Sequence, residues 1–284
     1  MDQADKRKNL PIAITSANID KPNKRSEHSL LSLVEAEIIP RLMLAHSDPR
    51  RAADGTSFIS RNEVIAFTQA LLSQDVTTAT AIVDEFRHIG TSMEAIYLDL
   101  LAASARYLGE LWESDERTFT EVTLCSWRIQ SMLYDLSPSF QSNAKSQIPN
   151  SLERRILIAT LPGYQHTLGV SMLSEFFRRE SWVVLAIPSP QTNEIQDSLS
   201  SNWFDVLALS ASTDGEIAAL AQTIKAARKT SRNPKLAIMI GGPLLQRQPE
   251  LAQLLGADGV ADDANSAITL ATKLVHYQMT VRLN

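Results

Sequence analysis

Apolar positions along the chain keep two different rhythms, and the change between them divides it. From residue 60 to residue 136 they recur every three or four residues, as in Met93, Ile96, Leu100 and Leu101. That is the period of a helix with one buried face. It predicts helices over Ser60–Ser73, Asp75–Gly90, Ser92–Trp112 and Phe119–Leu136, the last two separated by the polar turn Glu113–Arg117. Four helices joined by short loops predict a four-helix bundle. Ahead of them, residues 1–28 carry Pro11, Pro22 and Lys-rich clusters with little periodicity, which reads as a flexible tail. Leu30, Leu33, Val34, Ile38 and Leu42 predict a further helix up to His46, interrupted near Pro40, and a loop follows from Asp48 to Thr56.

Ser137–Ser151 is polar and reads as a linker. Beyond it, short continuous apolar runs alternate with helical stretches: Arg155–Thr160, Trp182–Ile187, Asp205–Leu209, Leu236–Ile240 and a weaker Asp258–Ala261. Such runs are the signature of strands buried on both faces. Their alternation with helices predicts an α/β domain built on a doubly wound, five-stranded parallel sheet. The predicted organisation is a tail (1–28), a helical domain (29–137), a linker (138–152) and an α/β domain (153–284). In such sheets ligands lie beyond the carboxyl ends of the strands. The chemistry is therefore expected in the loops that follow them.

Composition narrows the function classes. A chain of 284 residues, 44% hydrophobic and 21% charged, is ordinary for a soluble protein of two domains. No apolar run approaches the ~18 residues of a membrane span, and the N-terminus lacks the apolar core of a signal peptide. A cytoplasmic protein is expected. The single cysteine, Cys125, excludes an internal disulfide and any multi-cysteine metal site, and its helical setting reads as a small buried hydrophobe. The net charge of −5 arises in the first half, where residues 1–151 hold 15 Lys/Arg against 20 Asp/Glu and residues 152–284 hold 12 against 12. There is no basic excess for binding nucleic acid by charge. Lys225, Arg228, Lys229, Arg232 and Lys235 read as a solvated helix face, and Glu110, Glu113, Asp115 and Glu116 as a solvated turn. No phosphate loop, nucleophile elbow, zinc-protease motif or carboxylate pair announces an enzyme.

Three loops remain: LPGYQHTLG at 161–169, Ser210 to Asp214, and Gly241, Gly242 and Pro243. His166 stands on a rim loop just before a helix, where a neutral imidazole serves as a metal ligand or simply as a hydrogen-bonded helix-start residue. Gly169 lets that helix approach whatever occupies the rim. The hydroxyls and the glycine pair leave room for a deep ligand. Together, His-x-x-Gly after the first strand, Ser-x-Ser after the third and Gly-Gly after the fourth resemble the cobalamin-binding fold of B12-dependent methionine synthases and B12 photoreceptors. In the helical half, LGELW at 108–112 followed by FTEVT at 119–123 resembles the helical cap of B12 regulators. The string EVTLCSWRIQ at 121–130 resembles the AerR/PpaA antirepressors of purple photosynthetic bacteria, and the similarity spans residues 60–284.

The resemblance implies a four-helix cap on a Rossmann-like (flavodoxin-like) domain, holding cobalamin in its hydroxo, methyl or adenosyl form. It implies base-off, His-on binding: His166 displaces the cofactor's own benzimidazole from cobalt. The nucleotide tail then runs between Ser210, Ser212, Thr213, Gly241 and Gly242, while Trp112 and Val122 face the upper ligand. Two positions depart from the pattern. Tyr164 replaces the carboxylate two residues before His166 that takes the imidazole's other proton, leaving Gln165 or a backbone carbonyl for that task. Val122 and Thr123 replace the cap's Glu-His pair. The implied function is a non-enzymatic, light-responsive photoreceptor and antirepressor that acts through a transcriptional repressor of the CrtJ/PpsR type, with direct DNA contact secondary. A corrinoid methyl carrier, a haem sensor and a cofactor-free interaction module are the alternatives.

Overall fold

The structure, a computed structural model, describes residues 59–73, 76–142, 153–164 and 167–280. The predicted tail, the helix ending at His46 and the loop to Thr56 lie outside the described residues. Helix α1 (Arg61–Leu72) opens with a capping box, in which the Ser60 hydroxyl accepts from the Glu63 N–H and the Glu63 carboxylate accepts from the Ser60 N–H. Helix α2 (Val76–His88) follows. The third predicted helix is continuous but not uniform: α3 (Met93–Ala95) runs through a π segment, Ile96–Leu101, into α4 (Ala102–Glu113). Ile96, Tyr97, Leu98, Leu100 and Leu101 are all buried. A regular α-helix places so dense a run partly on its far side, whereas the wider π turn brings it inward. Helix α5 (Phe119–Gln141) completes the bundle.

α5 overruns the linker predicted from Ser137. Pro138 has no N–H to donate to the Tyr134 carbonyl, but both residues lie on the exposed side of the helix, where the lost bond costs least. Phe140 is fully buried, stacked on Tyr97 with ring centroids 4.3 Å apart and tilted against Phe176 at 5.0 Å. Burying such a side chain stabilises by about 1.5–3 kcal/mol, enough to carry the helix past the proline.

The second half is the predicted parallel sheet: β1 (Arg155–Ala159), β2 (Val183–Ile187), β3 (Val206–Ser210), β4 (Ala237–Gly241) and β5 (Gly259–Ala261), in the order β2-β1-β3-β4-β5. Helix α6 (Thr167–Arg179) and the last helix, Ala264–Thr280, cover the face formed by Ile156, Ile158, Val206, Ala208, Ala237 and Met239. Helices α7 (Glu194–Ser201), α8 (Ile217–Thr230), α9 (Pro243–Arg247) and α10 (Leu251–Leu255) cover the face of Leu157, Leu207, Leu209, Ile238 and Ile240. Ala264–Thr280 is α11. Burial on both faces holds for the central strands but not for β2, an edge strand whose Val183 and Leu185 are 46% and 37% exposed.

The bundle sits directly on α6. Met172 and Phe176 of α6 belong to the bundle's core. Gln130 bonds Thr167 and Ser171, Ser137 and Gln141 bond Glu175, and Glu94 pairs with Arg179 at 2.9 Å. Partners advance together along α5 and α6, so the two helices are parallel. Residues 119–129 of α5 therefore project beyond the start of α6, by about 16 Å at 1.5 Å per residue, over the loop that follows β1.

Candidate cofactor site

In the strand order β2-β1-β3-β4-β5 the chain leaves β1 toward one face and β3 toward the other, and a crevice opens where they part. Along the α6 face, side chains shrink toward the carboxyl ends: Val206, Ala208 and Ser210 on β3, Met239 and Gly241 on β4, Ala261 on β5. α6 and α11 cannot close on side chains this small. The result is a cavity of about 70 Å³, floored by Ala208, Ser210, Gly241 and Ala261, walled by Leu168, Gly169, Met172 and Leu173, with Asp262 and Asp263 on its rim. Its walls are mainly apolar. One hydroxyl stands out: Ser210 Oγ is buried without a hydrogen-bond partner. An orphaned buried polar group costs about 1–3 kcal/mol, a cost relieved by any ligand that brings a donor or acceptor.

The glycine pair has a more local cause than room for a ligand. A Cβ on Gly241 would lie 2.7 Å from the Ala261 carbonyl oxygen, and one on Gly242 would lie 2.3 Å from that of Ala211. Gly242 also has φ +101°, which favours glycine. The chain's own backbone thus crosses where side chains would be, and both glycines line the cavity as well.

Other expected positions fall differently. Ser210, Gly241, Gly242 and Gly169 come together at the cavity. Ser212 and Thr213 do not line it. Ser212 is fully buried, and the Glu216 carboxylate accepts from the Ser212 N–H (3.2 Å), the Thr213 N–H (3.0 Å) and the Thr213 hydroxyl (3.0 Å). These two residues build the turn rather than face the cavity. Val122, expected to face the upper ligand, is instead 1% exposed, inside the bundle's core. Thr123, one residue on, is exposed, and seven residues (nearly two turns) separate it from Gln130 on the α6 side of α5. Phe119, 39% exposed, completes that row. Trp112 is half-buried and packs on the bundle core.

Tyr164 packs against the apolar cluster on the α7–α8 face, and its carbonyl accepts from the Thr160 hydroxyl at 3.0 Å. Gln165 and His166 lie outside the described residues, between the fixed positions of Tyr164 and Thr167. Among the described residues no group of three His, Cys, Asp or Glu is set to hold a metal ion by itself. Burial pushes the Cys125 thiol above its ordinary value, as expected of an inert core cysteine. The basic run is less idle than a solvated face: Arg228 bonds the carbonyls of Leu236 and Gly256 and pairs with Asp258 at 2.7 Å. Glu216 escaped the motif reading. Its signal was present in Thr213-x-x-Glu216, a capping-box spacing.

Comparison with known proteins agrees with this geometry. Residues 154–270 match one B12 binding domain family and residues 66–136 match a second. A 20.5 kDa protein of Rhodobacter capsulatus, from the bchF-crtJ intergenic region, is 24% identical over 186 residues, 66% of this chain and 95% of the relative. Both matched segments are B12 binding domains. They coincide with the bundle and the α/β domain. The solved monomethylamine corrinoid protein of Methanosarcina barkeri superposes on this chain with a TM-score of 0.62, at 16% identity, over 76% of this chain and all of that one. The two share a fold: a helical cap on a Rossmann-like domain. The residues present suit a cobalamin. The slot is apolar, its one buried free hydroxyl awaits a partner, and two glycines keep side chains out of it. No helix among the described residues is long and apolar enough to cross a membrane.

Proposed function

We propose that this protein is a non-enzymatic regulator that holds cobalamin between the rim of its sheet and the overhanging half of α5. The observation that carries the reading is the slot at the β3–β4 carboxyl ends, with the unpartnered Ser210 hydroxyl on its floor. When bound, the cofactor supplies a cobalt ion whose upper ligand is exchanged or released by light. The protein's own residues divide the remaining work. His166 would hold the cobalt through its imidazole, the base-off, His-on mode. Ser210 offers its hydroxyl to the displaced tail within the slot. Phe119 and Thr123, both exposed on the overhanging half of α5, would meet the cofactor's upper ligand and tolerate different ones. Gln130 accepts from the hydroxyl of Thr167, the residue after His166, at 3.0 Å and donates to Ser171 at 3.2 Å. A change at the start of α6 is thereby felt in the cap, and two cofactor states with different contacts favour two cap arrangements. The relative from the bchF-crtJ region, in a photosynthesis gene cluster, supports an output on photosynthesis genes. By likeness to the AerR/PpaA type, that output passes through a repressor of the CrtJ/PpsR type in the cytoplasm.

A methyl carrier is the other use of this architecture. The Tyr164 ring, packed into an apolar cluster, leaves no carboxylate at the position that tunes a cobalt-bound imidazole, which favours the regulator. In the test, protein incubated with hydroxocobalamin passes through gel filtration and is scanned dark and illuminated. The expected result is a retained cobalamin spectrum that changes in His166→Ala. A colourless chain overturns cobalamin binding, and methyl transfer from the bound cofactor to an added thiol overturns the non-enzymatic reading.

A further inference from the structure

Glu216 is fully buried at the start of α8, behind the turn that follows β3. One of its carboxylate oxygens takes three donors from the turn: the Ser212 and Thr213 N–H groups and the Thr213 hydroxyl, at 3.0–3.2 Å. Every other backbone group along the turn's inner edge is also engaged. The Ala211 N–H donates to Gly241, the Ala211 carbonyl accepts from Leu244, and the Ser212 carbonyl accepts from Arg247. The turn therefore spends its backbone donors inward, on the protein. It leaves one polar side chain, Ser210, unpartnered toward the slot. Buried carboxylates are costly unless fully hydrogen-bonded. A neutral turn with the usual Asx or Ser caps would have served a short helix start without one.

We propose that Glu216 is a positioning residue for recognition of the nucleotide tail: it anchors the β3–α8 turn that starts directly after Ser210 and so holds that hydroxyl in place. This deepens the reading above and rests on the tail occupying the slot. Glu216 itself touches no ligand. Its influence is expected to fall on the tail, because the turn it anchors leads out of β3 directly after Ser210, the one unpartnered hydroxyl of the slot.

The proposal separates two ligands. Hydroxocobalamin carries the nucleotide tail, while dicyanocobinamide has the same corrin ring without it. Dissociation constants of both are measured by absorption titration on the full chain, with the melting temperature recorded alongside. Wild type is expected to prefer cobalamin. Leaving two or three buried donors without an acceptor is expected to weaken cobalamin binding by Glu216→Ala about tenfold or more, with cobinamide affinity unchanged within about twofold. Glu216→Gln, which keeps an acceptor oxygen, is expected to restore most of the preference. If the alanine variant does not fold, Thr213→Val removes one of the three bonds and is expected to lower the cobalamin preference while sparing cobinamide. Equal loss of both ligands, or an unchanged ratio, overturns the assignment of Glu216. A wild type that binds neither ligand overturns the cobalamin reading itself, and one that binds both equally overturns tail recognition in the slot.

Discussion

Gly242 and Gly163 both sit at positive φ, +101° and +87°, yet the structure predicts different fates for their alanine variants. Around Gly163 a Cβ would meet nothing within 4 Å, so only backbone strain opposes it, about 1 kcal/mol. At Gly242 the added carbon would collide with the Ala211 carbonyl oxygen at 2.3 Å and press Ser210 Oγ at 3.1 Å. Gly242→Ala is therefore expected to lose clearly more stability in urea than Gly163→Ala, and to lose cobalamin binding with it. Equal costs would show that the β3–β4 crossing yields more easily than its geometry implies. At this scale the sequence exposed the glycine pair but not its cause. A Gly-Gly dipeptide does not announce that the backbone crossing it belongs to Ala211 and Ala261, because such contacts join residues dozens of positions apart. Val122 misled for a related reason: motif spacing counts residues, while a helix turns each by 100°, and one step separates the buried face from the rim.

Elements were more legible than their ends. The two periodicities placed all four described bundle helices and all five strands, because core burial imposes the period on every member. The C-terminus of α5 was hidden because Pro138 and a polar stretch signal a break, while the contacts that override them come from Tyr97 and Phe176, on other elements. β2 carries the same apolar run as its neighbours, and only strand order reveals it as an edge. The aromatic contact can be tested. Phe140→Ala should cost about 3–5 kcal/mol in chemical denaturation, as for other buried aromatics. It should also release the last turn of α5 to proteolysis near Pro138. Pro138→Ala should cost nothing and can stabilise, since it returns a hydrogen bond to the helix. A Phe140→Ala loss below about 1 kcal/mol would mean that the segment after Pro138 is held by something other than this cluster.

On the scale of the molecule, cap and α/β domain share one core, and the weakest chemistry in that seam is Tyr97. Its ring stacks on Phe140 and meets Phe176 edge-on, its hydroxyl donates to the Leu133 carbonyl at 3.0 Å, and Glu175 lies nearby on α6. Burial, and then the Glu175 charge, hold its pKa well above the ordinary 10. Above that pH the unfolded chain releases the Tyr97 proton while the folded one keeps it, so the unfolded state binds fewer protons and stability falls as pH rises. One proton corresponds to a slope of about 1.4 kcal/mol per pH unit. Tyr97→Phe keeps the ring and removes the proton. Its stability should be lower at neutral pH by the lost hydrogen bond, about 1 kcal/mol. Its stability curve should then decline less steeply than wild type above pH 10, by that one-proton slope. Because Glu175 is also bonded by Ser137 and Gln141 of α5, a tyrosinate there sets two negative charges against each other across the seam. Alkaline unfolding should therefore begin with cap and α/β domain separating, seen as exposure of Phe176 and Phe140 before the sheet's amides exchange. Parallel slopes for wild type and variant would mean that Tyr97 ionises in place and the seam absorbs the charge.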